Sequence, residues 1–202
     1  MTNFARAERL SVAALLREIG PDAPTLCEGW TTLDLAVHLV IRDRYPAALP
    51  ANASDKAGKV EFFAKRTAMR ESELKALPWE KLVGMVAAGP GVLSPMGWTP
   101  VDVLTNTGEF YVHHEDIRRA RKGWEPRNIL PELEAQLWNV CKPLAHSPSV
   151  RNEGPLIVRA PGHGELHVGN TDEGATVLEG KPSELVMYLF GRKDHAQVSL
   201  RS

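Results

Sequence analysis

Two adjacent histidines stand among three carboxylates in "GEFYVHHEDIRR", residues 108–119. On a helix, residues four apart lie about 40° from one another and residues seven apart about 20°. Glu109, His113 and Asp116 therefore share a face, and His114 points away from it, toward solvent or a domain contact. A glutamate and a histidine four apart can reach one cation together, for the geometric reason that two histidines do so in helical zinc proteases. A third ligand must come from elsewhere. His38 is the candidate, because it sits mid-helix among the leucines of "LDLAVHLVIRD", where its ring nitrogens need partners. Facing helices of a bundle bring such side chains together across a core. Plainer roles exist for each residue. Glu109 and His113 also make an ordinary helical pair, worth about a few tenths of a kcal/mol, and His38 also reads as a hydrogen-bonded core histidine. Asp116 reads either as a salt-bridge partner of an arginine such as Arg42 or as an acceptor behind His113.

Other chemistry-bearing residues carry less. "HGELH" places His163 and His167 four apart, but its Pro-Gly and Gly brackets predict a strand, on which four residues span roughly 13 Å, too far to share a metal. Trp30 and Trp98, each just ahead of a predicted helix, read as core or staple residues. Cys27 and Cys141 form neither a close metal-type pair nor a disulfide framework. With no base near it in sequence, Cys27 reads as a small buried apolar residue.

The elements that position these residues are helical over the first two-thirds of the chain. Of 202 residues, 43% are apolar, enough for a real core, and 24 Lys plus Arg nearly balance 25 Asp plus Glu. That balance excludes charge-driven binding of nucleic acid or membrane and favours small, near-neutral ligands. No leading apolar run resembles a signal peptide or membrane span, so a cytoplasmic protein with reduced thiols is expected. Phe4, Leu10, Ala14, Leu15 and Ile19 recur at helical spacing up to "GP" at 20 and 21. A second helix is capped by Thr31, with Asp34 three residues on, and ends before Pro46. Its inner face carries Leu35, His38, Leu39 and Arg42. Further helices are predicted in "KVEFFAKRTAMRESELKAL" and "PWEKLVGMVAAG", followed by the loop "GPGVLSPMGW". The helix bearing Glu109 is predicted to start at Thr99, with Pro100 and Asp102 in its first turn, and to run to about Lys122 before Gly123. After the helix in "ILPELEAQLWNVCKPLAHS" the texture changes to short glycine-bounded β runs, a helix in "PSELVMYLFGR" and a last strand in "AQVSLRS". The expected fold class is α+β: a helical bundle over 1–148 and a small α/β unit over 149–202.

Two stretches carry a family resemblance. "LCEGWTTLDLAVHLV" and "GEFYVHHEDIRRA" resemble, in order, the two motifs of the DinB-like metal-binding four-helix-bundle superfamily, in particular the mycothiol-dependent maleylpyruvate isomerase family of actinobacteria. The terminal "PSELVMYLFGR" is similar to that family's C-terminal domain, whose helix ends in Gly-Arg, here Gly191 and Arg192. The resemblance implies an antiparallel four-helix bundle with a small C-terminal α/β domain, and puts the metal ligands on His38, Glu109 and His113. It implies a divalent metal, zinc the first candidate, and mycothiol as cosubstrate; three protein ligands would leave zinc an open coordination position. The implied chemistry is addition, transfer or isomerisation on a small electrophile, in a monomer or homodimer. Arg192 suits a carboxylate on thiol or substrate through its planar fork, or else is a surface arginine after a helix end. Two other readings stay open: a metal-dependent hydrolase assisted by Asp116 or Glu115, and a non-catalytic metal- or ligand-binding protein.

Overall fold

The computed structural model describes residues 3–45, 57–90, 106–172 and 174–201. It is a mixed architecture of helices and one four-stranded sheet, α+β as the sequence predicts. The chain divides into two compact units: Met1–Asn106 with His113–Trp124, and Thr107–Val112 with Glu125–Ser202.

The first unit holds α1 (Phe4–Ile19), α2 (Thr32–Arg44), α3 (Ala57–Lys75), α4 (Trp79–Ala88) and the later turns of α5 (Thr107–Arg119). Asn3 starts α1, its Oδ1 accepting the Arg6 N–H at 2.9 Å, and Gly20 stops it at φ 79°. The helical period is as expected, but the buried face is a different one. Ala5, Val12, Ala13 and Leu16 are buried together with Glu8 and Arg9, whereas Leu10 and Ala14 are exposed. Two charged residues mask that face in the sequence. They tolerate burial because each has a polar partner, Arg9 Nε lying 3.3 Å from Asp43 Oδ2 and Glu8 Oε2 lying 2.9 Å from His114 Nδ1.

Thr31 begins α2 as predicted, its N–H donating to Asp34 Oδ2 at 2.9 Å. The segment between α1 and α2 is pinned by Thr32, whose Oγ1 donates to Gly20 O at 2.6 Å and whose N–H donates to Ala23 O at 2.9 Å. Pro46, most of the predicted loop over 89–98 with its Trp98, and the predicted helix start at Thr99, Pro100 and Asp102 lie outside the described residues. The helix bearing the two histidines ends at Arg119 rather than Lys122. Ala120 closes it, and Gly123 at φ 75° belongs to the turn that follows.

The second unit contains the first turns of α5, then α6 (Pro131–Ala145), α7 (Pro148–Arg151), the sheet and α8 (Pro182–Leu189). Strands β1 (Leu156–Ala160), β2 (Gly164–Val168), β3 (Thr176–Glu179) and β4 (Ser199–Arg201) lie in the order β2-β1-β3-β4. β1 pairs antiparallel with β2 and parallel with β3, and β3 pairs antiparallel with β4. α8 packs on α6 and β1. Leu137 and Cys141 of α6, Val158 of β1, Leu178 of β3 and Leu185 of α8 are all fully buried. Ser183 ties the two helices, its N–H and its hydroxyl each donating to Glu134 at 2.9 Å. On α5, Gly108 lets Val140 of α6 approach so closely that a Cβ at 108 would lie 2.6 Å from Val140 Cγ1. His163 stands in the turn before β2 and His167 on β2, where its Nδ1 lies 3.1 Å from Thr171 Oγ1.

Candidate metal centre

α2 and α5 supply the site. His38 and His113 place their ring centroids 5.1 Å apart at an interplanar angle of 69°. Glu109 lies one turn before His113 on the same unbroken helix. Each of His38, Glu109 and His113 offers one ligand atom, and these atoms lie within 4.8 Å of one another. Two imidazole nitrogens and a carboxylate oxygen are a donor set suited to a borderline divalent cation such as zinc, and three protein ligands leave a coordination position open.

His113 is buried, and its Nδ1 lies 2.9 Å from Oδ2 of the fully buried Asp116. Asp116 thus stands behind His113, where a hydrogen-bond acceptor would. Arg42 donates to Asn106 Oδ1 and lies 3.8 Å from Asp43. A carboxylate accepting at Nδ1 favours the tautomer with its proton there, which leaves the lone pair on Nε2 for a ligand. His114 departs from expectation: it is neither turned to solvent nor at a domain contact but buried within the first unit, with Nδ1 2.9 Å from Glu8 Oε2 on α1. It points away from Glu109 and His113 as helical geometry requires, but the first unit's interior lies on that side too. Glu115 is also fully buried and is held by its own helix, with Arg119 Nε donating at 2.6 Å and Arg118 Nη1 at 2.8 Å.

Cys27 is a second departure. It is half-buried rather than a core residue, and its Sγ lies 3.3 Å from Asp116 Oδ2. Cys27, His113 and Asp116 form a further group whose ligand atoms lie within 4.8 Å of one another. The backbone builds this contact: Leu26 N–H donates to Asp116 O at 3.0 Å, and Cys27 N–H donates to Thr25 Oγ1 at 3.2 Å. No linear spacing could have shown it, since the two residues stand 89 apart. Cys141, by contrast, is fully buried, and burial, followed by the charge of Glu134, pushes its thiol far above the usual range.

Trp30 is not a core residue either. It is 37% exposed, with its ring centroid 5.3 Å from that of His38. Together Trp30, His38, Val37, Ile41, Thr67 and Lys75 line a cavity of about 200 Å³ that Asp34 and Glu71 also border. Lys75 Nζ lies 2.6 Å from Asp34 Oδ1. That ammonium, followed by the Thr31 N–H, holds the Asp34 carboxyl below the ordinary carboxylate range. Arg192 follows α8, half-buried, with Nη1 donating to Phe190 O at 2.7 Å.

The same architecture occurs in known structures. The chain is similar to a mycothiol-dependent maleylpyruvate isomerase, with a TM-score of 0.53 and 19% identity over 98% of this chain and 96% of that one. A histidine-to-alanine mutant of the mycothiol-dependent maleylpyruvate isomerase matches with a TM-score of 0.54 and 18% identity over the same shares. At that identity the likeness shows a distant structural relationship and a common fold. No protein-family model matches the chain, and no curated protein sequence matches it. No helix among the described residues is long and apolar enough to cross a membrane.

Proposed function

We propose that this chain is a divalent-metal enzyme, built on a DinB-like four-helix bundle, that uses a low-molecular-weight thiol on a small electrophile in the cytoplasm. The convergence of His38, Glu109 and His113 supports this reading, in a chain whose fold runs the full length of a mycothiol-dependent isomerase. Mycothiol is the first thiol to test, and zinc the first metal. A cation bound by the three ligands supplies a Lewis acid that lowers the pKa of an incoming thiol. The chain's own residues do the rest. Asp116 fixes the His113 ring by accepting from Nδ1, so that Nε2 is presented as a ligand. Trp30 offers an apolar wall beside His38 against which a substrate can shed water. Arg192 anchors an anionic group of thiol or substrate through its planar fork.

Two measurements test the reading. Elemental analysis of purified protein should find a divalent metal that is lost in His38→Ala, Glu109→Ala and His113→Ala. Small electrophiles should be consumed when mycothiol is present and not when it is absent. Metal content unchanged across the three variants would remove the ligand assignment. Turnover without any thiol would replace the thiol chemistry with hydrolysis.

A further inference from the structure

The contact between Cys27 and Asp116 takes no part in the reading above. We propose that Cys27, His113 and Asp116 form a second cation position, one that contains a thiolate and selects thiophilic ions.

The geometry is close to what such an ion needs. Ligand atoms at zinc-type bond lengths stand roughly 3.4 Å apart around a tetrahedron, and about 3.6 Å where one is sulfur. Cys27 Sγ and Asp116 Oδ2 are 3.3 Å apart, and Asp116 Oδ2 and His113 Nδ1 are 2.9 Å apart. Small side-chain rotations open both gaps to the required spacing. The frame around them is fixed by the Leu26 N–H on Asp116 O at 3.0 Å and the Thr25 hydroxyl under Cys27 N–H at 3.2 Å. Asp116 is fully buried and His113 nearly so, whereas Cys27 is half-buried, which makes the cysteine side the route of entry. A thiolate, an imidazole and a carboxylate together favour zinc, cadmium or cobalt over magnesium or calcium.

Binding here expels the Cys27 thiol proton to solvent and moves the His113 ring proton from Nδ1 to Nε2, with no change of oxidation state. That proton shift makes the two cation positions alternatives. A neutral imidazole has one lone pair, which serves either Nε2, with Asp116 accepting from Nδ1, or Nδ1, with Nε2 protonated. An ion held by Cys27 therefore withdraws His113 from His38 and Glu109.

Cadmium titration of metal-free protein, with a non-thiol reductant, tests the assignment through near-ultraviolet thiolate-to-metal absorption. The band should saturate at one equivalent per chain in the wild type and in Cys141→Ser, and be absent in the near-isosteric Cys27→Ser. It should persist in the His38→Gln, Glu109→Gln double variant, which separates this position from the first one. A wild-type protein with no band overturns the proposal. So does a band that survives Cys27→Ser, or one lost in the double variant while circular dichroism shows that variant folded.

Discussion

Gly108 precedes Glu109 of the candidate metal centre, and replacing it with alanine tests whether the first turn of α5 is held as tightly as the structure shows. The added Cβ would meet Val140 Cγ1 at 2.6 Å. An ordinary carbon–carbon contact is about 3.5–4.0 Å, so something must move by roughly 1 Å. Val140 cannot swing aside easily, because a β-branched side chain in a helix has one strongly preferred χ1. It is also nearly buried, with α6 packed against α8. Overpacking of this kind costs about 1–3 kcal/mol. Alanine recovers about 1 kcal/mol over glycine in a helix interior. The net expectation for Gly108→Ala is therefore a loss of up to about 2 kcal/mol, read as a lower urea midpoint at unchanged slope. In a Val140→Ala background the clash is gone and the same substitution should stabilise by about 1 kcal/mol, a coupling of roughly 1–3 kcal/mol between the two positions. If α5 yields by shifting, Glu109 shifts with it, and Gly108→Ala should hold less metal in the Val140 protein than in the Val140→Ala one. Stabilisation by Gly108→Ala in the native background would refute the close approach, since helix propensity alone would then account for the change.

The remaining expectations concern the charged residues. His114→Ala should lower stability by about 2–4 kcal/mol, because it removes a buried hydrogen bond to a carboxylate and leaves a cavity, yet it should retain full metal content by elemental analysis. Metal loss equal to that of His113→Ala would place His114 in the site instead. Arg192→Lys keeps the charge and loses the fork. It should weaken binding of an anionic thiol about tenfold by calorimetry while leaving metal content unchanged, and unaltered affinity would return Arg192 to a structural role. The Asp34 carboxyl is held below its ordinary pKa by Lys75, so its contribution is complete at neutral pH and is lost as pH falls through that depressed value. Both side chains are partly exposed, which limits the pair and its cap to about 1 kcal/mol. Asp34→Asn should thus be less stable than wild type at pH 7, and the difference should vanish as pH falls through that depressed value. A difference that persists in acid would assign the effect to something other than this charge.

Local signals made much of this fold legible. Thr31 and Asp34 announced the start of α2, and the glycine-bounded runs announced the strands, because capping and turn chemistry act over a few residues. The face of α1 was hidden for the opposite reason. Glu8 and Arg9 look like solvent-facing residues until the partners that permit their burial, His114 and Asp43, are known to lie beside them. The same limit explains Cys27. Its neighbours in sequence offer no base, and its relation to Asp116 arises from the backbone bond between Leu26 and α5. Trp30 was misjudged because apolar character in sequence does not distinguish a residue inside the core from one bordering a cavity. Glu109, His113 and Asp116 were legible together because a single helical period relates them.

The doubled histidine acquires a reason from this arrangement. Consecutive residues on a helix point about 100° apart, so His113, His114 and Glu115 sample most of the circumference of α5 in one turn. Each is buried and each has a defined charged neighbour: Asp116 for His113, Glu8 of α1 for His114, and Arg119 for Glu115. Rolling the helix would carry the His113–Asp116 and Glu115–Arg119 pairs along with it but break the buried His114–Glu8 contact, at about 1–3 kcal/mol. His114 is thus a rotational stop for α5, and the Leu26 N–H on Asp116 O is a second stop on the backbone. With the helix unable to roll, the His113 ring is aimed by the fold before any ligand arrives. A site needs that condition to distinguish cations by geometry rather than close around whichever is most abundant. One histidine can serve as a ligand because its neighbour in sequence serves as a lock.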